Sequence, residues 1–222
     1  MISIAIDGPS GAGKSTIARA VAKELGLTYV DTGALYRAIG LFAKRSGICD
    51  TDEKALGPRL KEAEISISHK GGAQRVFLCG EDVSEEIRRP EMSMAASNVS
   101  AMPPVRAFLL ELQREMARRH SVIMDGRDIG TVVIPGADLK IFLTASPEDR
   151  AKRRYKEFIA RGEKVEPEAV LRDIIKRDHN DSTRAESPLR RAPGAVLLDT
   201  TGNTLDESVE LVLKTIKEYV EL

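Results

Sequence analysis

The segment Gly8-Pro9-Ser10-Gly11-Ala12-Gly13-Lys14-Ser15 sits between a short apolar run, Ile2–Ile6, and a stretch carrying Ile17, Ala18, Val21, Ala22 and Leu25 at helical spacing. No other feature of the chain limits its fold so tightly. It matches G-x-x-x-x-G-K-[ST] with an apolar strand before it and an amphipathic helix after it, which is the context that pattern requires. Glycines let such a loop wrap a phosphate with its N–H groups turned inward. The helix that follows adds partial positive charge at its N-terminus. Lys14 can reach the β- and γ-phosphates of a nucleotide, and the Ser15 hydroxyl can take a place on Mg²⁺. The nucleotide side is therefore expected to be Gly8, Pro9, Ser10, Gly11, Ala12, Gly13, Lys14, Ser15 and Thr16. A glycine-rich turn that binds nothing would not need both flanks.

The rest of the chain fits the same plan. Short β-branched runs (Ile2–Ile6, Ser121–Met124, Leu139–Leu143, Ala195–Leu198) alternate with longer helical patterns, the signature of an α/β fold with a parallel sheet. Gly26 stands where the first helix should be capped. Thr204 to Glu207 reads as a capping box, and Leu205, Val209, Val212, Leu213, Ile216 and Val220 form a stripe able to pack on the sheet.

Two regions depart from that rhythm. Between about Glu64 and Arg89, Ile65 to Ser68 alternates, Lys70-Gly71-Gly72-Ala73 offers a turn, and Arg75 to Leu78 alternates less cleanly. This predicts an inserted antiparallel hairpin closed by a short helical stretch, Ser84–Arg89. Pro103-Pro104 then start a long helix. From Ser146, an N-cap followed by Pro147, Glu148 and Asp149 opens another helix. It carries Arg150, Arg153 and Arg154 on one face until Arg161-Gly162-Glu163 breaks it, and a second helix follows Pro167. A helical hairpin lined with arginine suits a lid closing over negative charge. No linker separates two independent units. The expected layout is one unit with a core of 1–60, 102–146 and 192–222, an insert over about 61–101 and a lid over about 147–191.

Composition narrows the partners. Lys and Arg number 34 against 34 Asp and Glu, so the net charge is zero and a nucleic-acid coat is not expected. With 5 Phe, 4 Tyr and no Trp, a stacking platform for single strands is also poorly supplied. Cys49 and Cys79 form no Cys-x-x-Cys, which suggests a reducing compartment. No apolar run approaches the roughly 20 residues that span a bilayer. The start MISIAI reaches Asp7 with no basic segment or long apolar run ahead of it. A cytoplasmic protein, without membrane or nucleic-acid partners and monomeric for want of an extra interface segment, is the expectation.

Three further clusters carry charge where ligands collect. Asp125, Arg127 and Asp128 follow a buried-looking strand, and open α/β sheets bind ligands outside the carboxyl ends of their strands. Asp125 there can support Mg²⁺ through water, whereas a lone Asp-Gly would be only a solvated turn. Thr32 and Arg37 would face the same crevice if Val30-Asp31 ends the second strand. Arg177, Asp181 and Arg184 fall on one helical face, which taken alone reads as an exposed ladder of ion pairs worth tenths of a kcal/mol. His69, His120 and His179 have no metal-ligand spacing and read as surface residues.

Together, IDGPSGAGKS, VDTGALYR, MAASNVSAMPPVR, DGRDIGT, RAKRR and RDHNDSTRAESPL resemble the bacterial-type cytidylate kinases, in order and over nearly the whole chain; only the hairpin around Lys70–Arg75 is matched by pattern alone. The resemblance implies a five-stranded parallel nucleoside-monophosphate kinase core with an antiparallel insert and a helical lid. It implies transfer of the ATP γ-phosphoryl group to CMP or dCMP with Mg²⁺. It further implies that Arg37, Arg127 and Arg184, with Thr32 beside them, hold the monophosphate. Ser97, Arg106 and Asp128 would face the cytosine, and Arg177 and Asp181 the pentose. Arg153, with Arg150 and Arg154 nearby, would be the lid's contribution to the transferring group. Lys14, Arg127, Arg153 and Arg184 are then the catalytic set.

Such a reaction needs no general base, because a monophosphate whose second pKa is about 6 already presents a charged oxygen. Its opposition is repulsion between two polyanions, which arginine forks suit. Three alternatives share the P-loop. UMP or another monophosphate could be the acceptor. A small hydroxyl acceptor would draft Asp125 or Asp128 as base, and the arginine cluster argues against it. A non-catalytic binding switch would need a partner surface that no stripe supplies.

Overall fold

A computed structural model describes residues 1–70 and 73–221. In chain order the elements are β1 (Ser3–Asp7), α1 (Lys14–Leu25), β2 (Thr28–Asp31), α2 (Thr32–Arg45) and α3 (Glu53–Leu56), which runs into a 3₁₀ turn over Gly57–Glu62. The insert follows as β3 (Ile65–Lys70), β4 (Ala73–Leu78), β5 (Glu81–Asp82), a 3₁₀ turn at Glu86–Arg88 and α4 (Glu91–Val99). Then come α5 (Pro103–Arg119), β6 (Val122–Gly126), a π turn at Ile129–Val133, β7 (Leu139–Thr144), α6 (Pro147–Ala160), α7 (Pro167–Thr183), β8 (Val196–Asp199) and α8 (Leu205–Tyr219).

Five strands form one parallel sheet in the order β2-β6-β1-β7-β8. β1 lies at its centre, with Asp7 opposite Gly126 on one side and Phe142 on the other. The chain steps from β1 to the β2 side first and later crosses to β7, so the loop after β1 opens at the point where strand order reverses. That is where doubly wound sheets hold their ligands. Alternation along β1 sends Ile4 and Ile6 to one face, with Ile17 and Val21 of α1 and Val212 and Ile216 of α8. Ala5 joins the other face, with Met124, Ile129, Val133 and, from α5, Leu110.

The hairpin has no core of its own. Val76 and Leu78 join Leu35 and Ile39 of α2, Met92 and Val99 of α4 and Leu109 of α5 in one apolar cluster. A third strand, β5, extends the hairpin beyond expectation, and the helix expected over Ser84–Arg89 shrinks to its 3₁₀ turn. The expected turn at Lys70–Ala73 includes Gly71 and Gly72, which lie outside the described residues. The helices α6 and α7, over the stretch expected to form a lid, share a small cluster of Ala151, Phe158, Val170 and Ile174. The capping box at Thr204 and Glu207 is formed. Leu205 is the exception in its stripe: it opens α8 one turn ahead of the buried stretch and stays 49% exposed. Both cysteines are free and exposed. Among the described residues no helix is long and apolar enough to cross a membrane.

Candidate active site

The loop after β1 is shaped by close approach. Gly8 has φ 153°, and a Cβ on it would sit 1.9 Å from the Leu143 carbonyl oxygen, so only glycine lets the loop pass over the end of β7. Gly13 caps α1 in the left-handed region, and no side chain caps the first turn. Those N–H groups are free to meet an anion. Lys14 is buried and its Nζ donates to the Pro9 carbonyl at 2.7 Å. Burial and the neighbouring Arg127 push its pKa well below the ordinary lysine value.

Beside it, Asp125 accepts from Ser15 Oγ and from the Tyr29 hydroxyl, both at 2.8 Å. Thr32 Oγ1 donates to the Asp125 carbonyl at 2.7 Å. Burial, reinforced by the nearby Asp31, raises the Asp125 pKa. A hydroxyl and a carboxylate in contact at the foot of the loop are hard oxygen donors. They suit Mg²⁺, which keeps several waters and binds through few protein ligands plus phosphate oxygens. No cluster of three or more His, Cys, Asp or Glu able to hold a metal by itself occurs among the described residues.

Asp7 was not singled out from sequence. Its carboxylate accepts from the N–H groups of Ile129 and Gly130 at 2.7 and 2.8 Å, pinning the start of the π turn that follows Asp128. Burial raises its pKa to about 6 despite those bonds.

In front of the loop lies a cleft of about 380 Å³. Lys14, Ser15 and Asp125 line it, facing Arg37, Arg127 and Arg177. Arg37 pairs with Asp31 at 2.8 Å, and Asp31 also caps α2 by accepting from Ala34 N–H. Burial would raise the Asp31 pKa, but Arg37 and the Ala34 N–H outweigh it and leave it low. Arg127 Nε donates to Asp181 at 2.8 Å, and Arg177 Nη1 donates to Ser10 Oγ at 3.2 Å and to Ser93. The buried Nε atoms of Arg37 and Arg177 make no hydrogen bond, although that of Arg177 lies 3.8 Å from the Asp181 carboxylate. Burial, with Arg127 beside it, lowers the Arg177 pKa to about 9, so the guanidinium stays charged at neutral pH. Rim arginines that sequence reasoning did not single out, Arg88, Arg89 and Arg161, line the same cleft. Neither the Arg88-Arg89 pair nor Arg161 belongs to a local motif, and only the fold gathers them.

Behind Arg127 the remaining expected residues form one buried network. Ser97 Oγ donates to Asp181 at 3.2 Å, Arg106 pairs with Asp128 and donates to the Ser100 carbonyl at 3.2 Å, and Arg184 donates to Ser100 Oγ at 2.8 Å. Ser97, Arg106, Asp128 and Asp181 are all buried. Burial raises the Asp128 pKa against the pull of Arg106. For Asp181, Arg127 and Arg177 outweigh burial and keep the carboxyl low. The ladder read for Arg177, Asp181 and Arg184 is not exposed: Arg177 Nε lies 3.8 Å from Asp181, but Ser93 and Ser97 of α4 cover that face of α7.

The three lid arginines do not act alike. Arg150 is buried, bridging Asp178 at 2.6 Å, the Ala145 carbonyl at 2.9 Å and the Ser10 carbonyl at 3.0 Å. Arg153, expected at the transferring group, instead reaches Thr200 at 2.5 Å and the Ala12 carbonyl at 3.4 Å. Arg154 stacks on Phe158 and is the one of the three that lines the cleft. Helical spacing sets their shared side; Arg150 and Arg153 reach carbonyls of the P-loop, whereas Arg154 pairs with Glu157 one turn along its own helix.

A family model described as "Cytidylate kinase" matches residues 4–218. The cytidylate kinase of Desulfitobacterium hafniense (strain Y51) is 51% identical over 220 residues, covering 99% of this chain and 94% of its own. That of Caldanaerobacter subterraneus subsp. tengcongensis is 52% identical over 217 residues, covering 98% and 95%. Among solved structures, an uncharacterized protein from Eubacterium ventriosum superposes with a TM-score of 0.53 at 12% identity, covering 98% of this chain and 99% of that one, a likeness of fold alone.

Proposed function

The chain belongs to the cytidylate kinase family, and we infer that it transfers the γ-phosphoryl group of ATP to CMP or dCMP, giving CDP or dCDP and ADP. The observation that carries this reading is a single cleft in which Lys14 and Ser15 of the loop face Arg37, Arg127 and Arg177, the first with a buried Nε that makes no hydrogen bond. Cations on both sides suit two polyanions brought together in line.

In this reading the loop from Gly8 to Thr16, through its main-chain N–H groups (Pro9 has none) and the Lys14 ammonium, holds the donor phosphates. Arg37, Arg127 and Arg184, with Thr32, hold the acceptor phosphate. Arg177 and Asp181 take the pentose, and Ser97, Arg106 and Asp128 the cytosine. Arg154 takes the lid role expected of Arg153, and Arg153 supports the donor loop at Ala12. Ser15, with Asp125 through water, would hold Mg²⁺, which supplies charge neutralisation to the nucleotide phosphates when bound. No residue is required as a base, since the attacking phosphate oxygen is already ionised at neutral pH. Closing the lid over the cleft would exclude water as a competing acceptor.

Cytosine presents an amine donor where uracil presents a carbonyl. The Asp128 carboxylate can accept from that amine, while Arg106 donates to the ring acceptors and Ser97 does either. With uracil both charged groups would be left mismatched, a loss of several kcal/mol in favourable cases. We assign the core to 1–60, 102–146 and 192–222, the insert to about 61–101 and the lid to about 147–191. A monomer working in the cytoplasm is proposed with it, in keeping with two free exposed cysteines. A coupled assay with ATP, Mg²⁺ and a panel of monophosphates tests the whole reading. CMP and dCMP should be used far better than UMP; equal use of UMP overturns the cytosine assignment, and the absence of turnover with every monophosphate favours a non-catalytic binding switch.

A further inference from the structure

β2 is an outer strand of the parallel sheet, so one row of its main-chain groups has no neighbouring strand. Thr28 N–H turns inward to the Ser121 carbonyl, which sends the groups of Tyr29 and Asp31 outward by alternation. Open edges of this kind are normally covered. Here two side chains of the inserted hairpin cover it. Asp31 N–H donates to Gln74 Oε1 at 2.8 Å, and Gln74 Nε2 donates back to the Asp31 carbonyl at 3.2 Å. His69, directly across from Gln74 in the hairpin register, places Nε2 2.9 Å from the Tyr29 carbonyl oxygen.

The amide of Gln74 thus closes both main-chain groups of one residue, as a paired strand would. That residue's side chain is the one that caps α2 and holds Arg37. Gln74 is itself buried, and a pocket of about 50 Å³ lies against it, bordered by Asp31, Arg37 and Arg88. Arg37 and Arg88 also line the main cleft, so the hairpin and the acceptor side are separated by single side chains.

We propose that Gln74 is a positioning residue for the acceptor phosphate, fixing through the main chain of Asp31 the carboxylate that aims Arg37. It touches no substrate. The proposal rests on the reading that Arg37 holds the CMP phosphate. Without the amide, both outward groups of Asp31 lose their partner, the end of β2 relaxes, and Arg37 loses its fixed anchor. The donor side meets this chain of contacts only across the sheet, where Asp125 of β6 stands beside Asp31 and holds Ser15, and β6 is fixed by its pairing with β1.

The test uses the full chain, with steady-state constants for CMP and ATP and calorimetric binding of CMP alone. Gln74→Leu keeps the volume and removes the hydrogen bonds; Gln74→Asn keeps an amide one methylene too short to bridge both groups, and stands in if the first variant does not fold. Either should weaken CMP by about fivefold to tenfold in both KM and Kd, with the KM for ATP within about twofold. In an Arg37→Ala background, Gln74→Leu should add less than about twofold, because its route to the substrate is gone. CMP constants within twofold of wild type, CMP and ATP weakening together, or an undiminished effect without Arg37 each overturn the proposal. Failure of the underlying reading looks different: Arg37→Ala alone would then leave CMP binding unchanged.

Discussion

Lys14 is the residue on which charge and position meet. Buried and held on the Pro9 carbonyl, it is placed before any nucleotide arrives. One preorganised electrostatic contact in a water-poor site is worth ~3 kcal/mol. Lys14→Ala should therefore lower kcat at least about a hundredfold with an unchanged fold by circular dichroism; near-normal turnover at saturating ATP and CMP would refute the assignment. Asp7 makes a different prediction, about stability. Its pKa rises from 3.8 in the free group to about 6 in the fold, so between those values the folded chain binds more protons than the unfolded one. Stability from this group is thus present in full below about pH 4 and is lost as the pH climbs through about 6, by up to ~3 kcal/mol. Unfolding free energies of wild type and Asp7→Asn across pH 4 to 7 should show wild type losing ground steadily to the variant; a constant gap would contradict it. These two residues also mark what sequence can reveal. Lys14 announces itself within eight positions, all of one local motif. Asp7 meets Ile129 and Gly130 across the strand order, and no local pattern encodes that pairing.

Helix α7 carries two tasks on one face. Asp181, expected at the pentose, already accepts from Arg127 and from Ser97. Asp181→Ala should for that reason weaken CMP and dCMP together by at least about tenfold through a freed Arg127, with an added loss for CMP if the 2′-hydroxyl is read. Initial rates with both substrates decide it, and wild-type efficiency with both would return Asp181 to a purely structural part. At this scale periodicity was a good guide. The alternation of Ile65 to Ser68, the stripe on α8 and the box at Thr204 all became the elements they suggested, because each depends on neighbours within a few positions. What periodicity could not supply was depth. Arg150, Arg153 and Arg154 share a side of α6, yet the first two reach carbonyls of the P-loop while Arg154 meets Glu157 and Phe158 of its own helix, so their roles diverge. The third strand β5 escaped for a similar reason: two exposed residues, Glu81 and Asp82, have no pattern to read.

The molecule as a whole has no net charge, with 34 basic and 34 acidic residues, yet nine basic side chains line one cleft. Attraction of a nucleotide is therefore local, and salt should screen it over a Debye length of about 10 Å at 0.1 M. Raising KCl from about 50 to 500 mM should increase the KM for CMP several-fold with little change in kcat, and salt-independent constants would argue against a field-guided site. The lid is tied into the same region: Arg161 donates to the Arg88 carbonyl of the insert at 3.0 Å, and Arg150 joins Asp178 of α7 to the Ser10 carbonyl of the loop. That last bridge makes the lid a poor cassette for engineering. A chimaera that borrows residues 147–191 from a homologue carries Arg150 and Asp178 along, but the carbonyl they must meet belongs to the host. Graft boundaries drawn at the ends of α6 and α7 would cut through a single guanidinium's set of partners, so a working exchange has to take the loop between β1 and α1 with it.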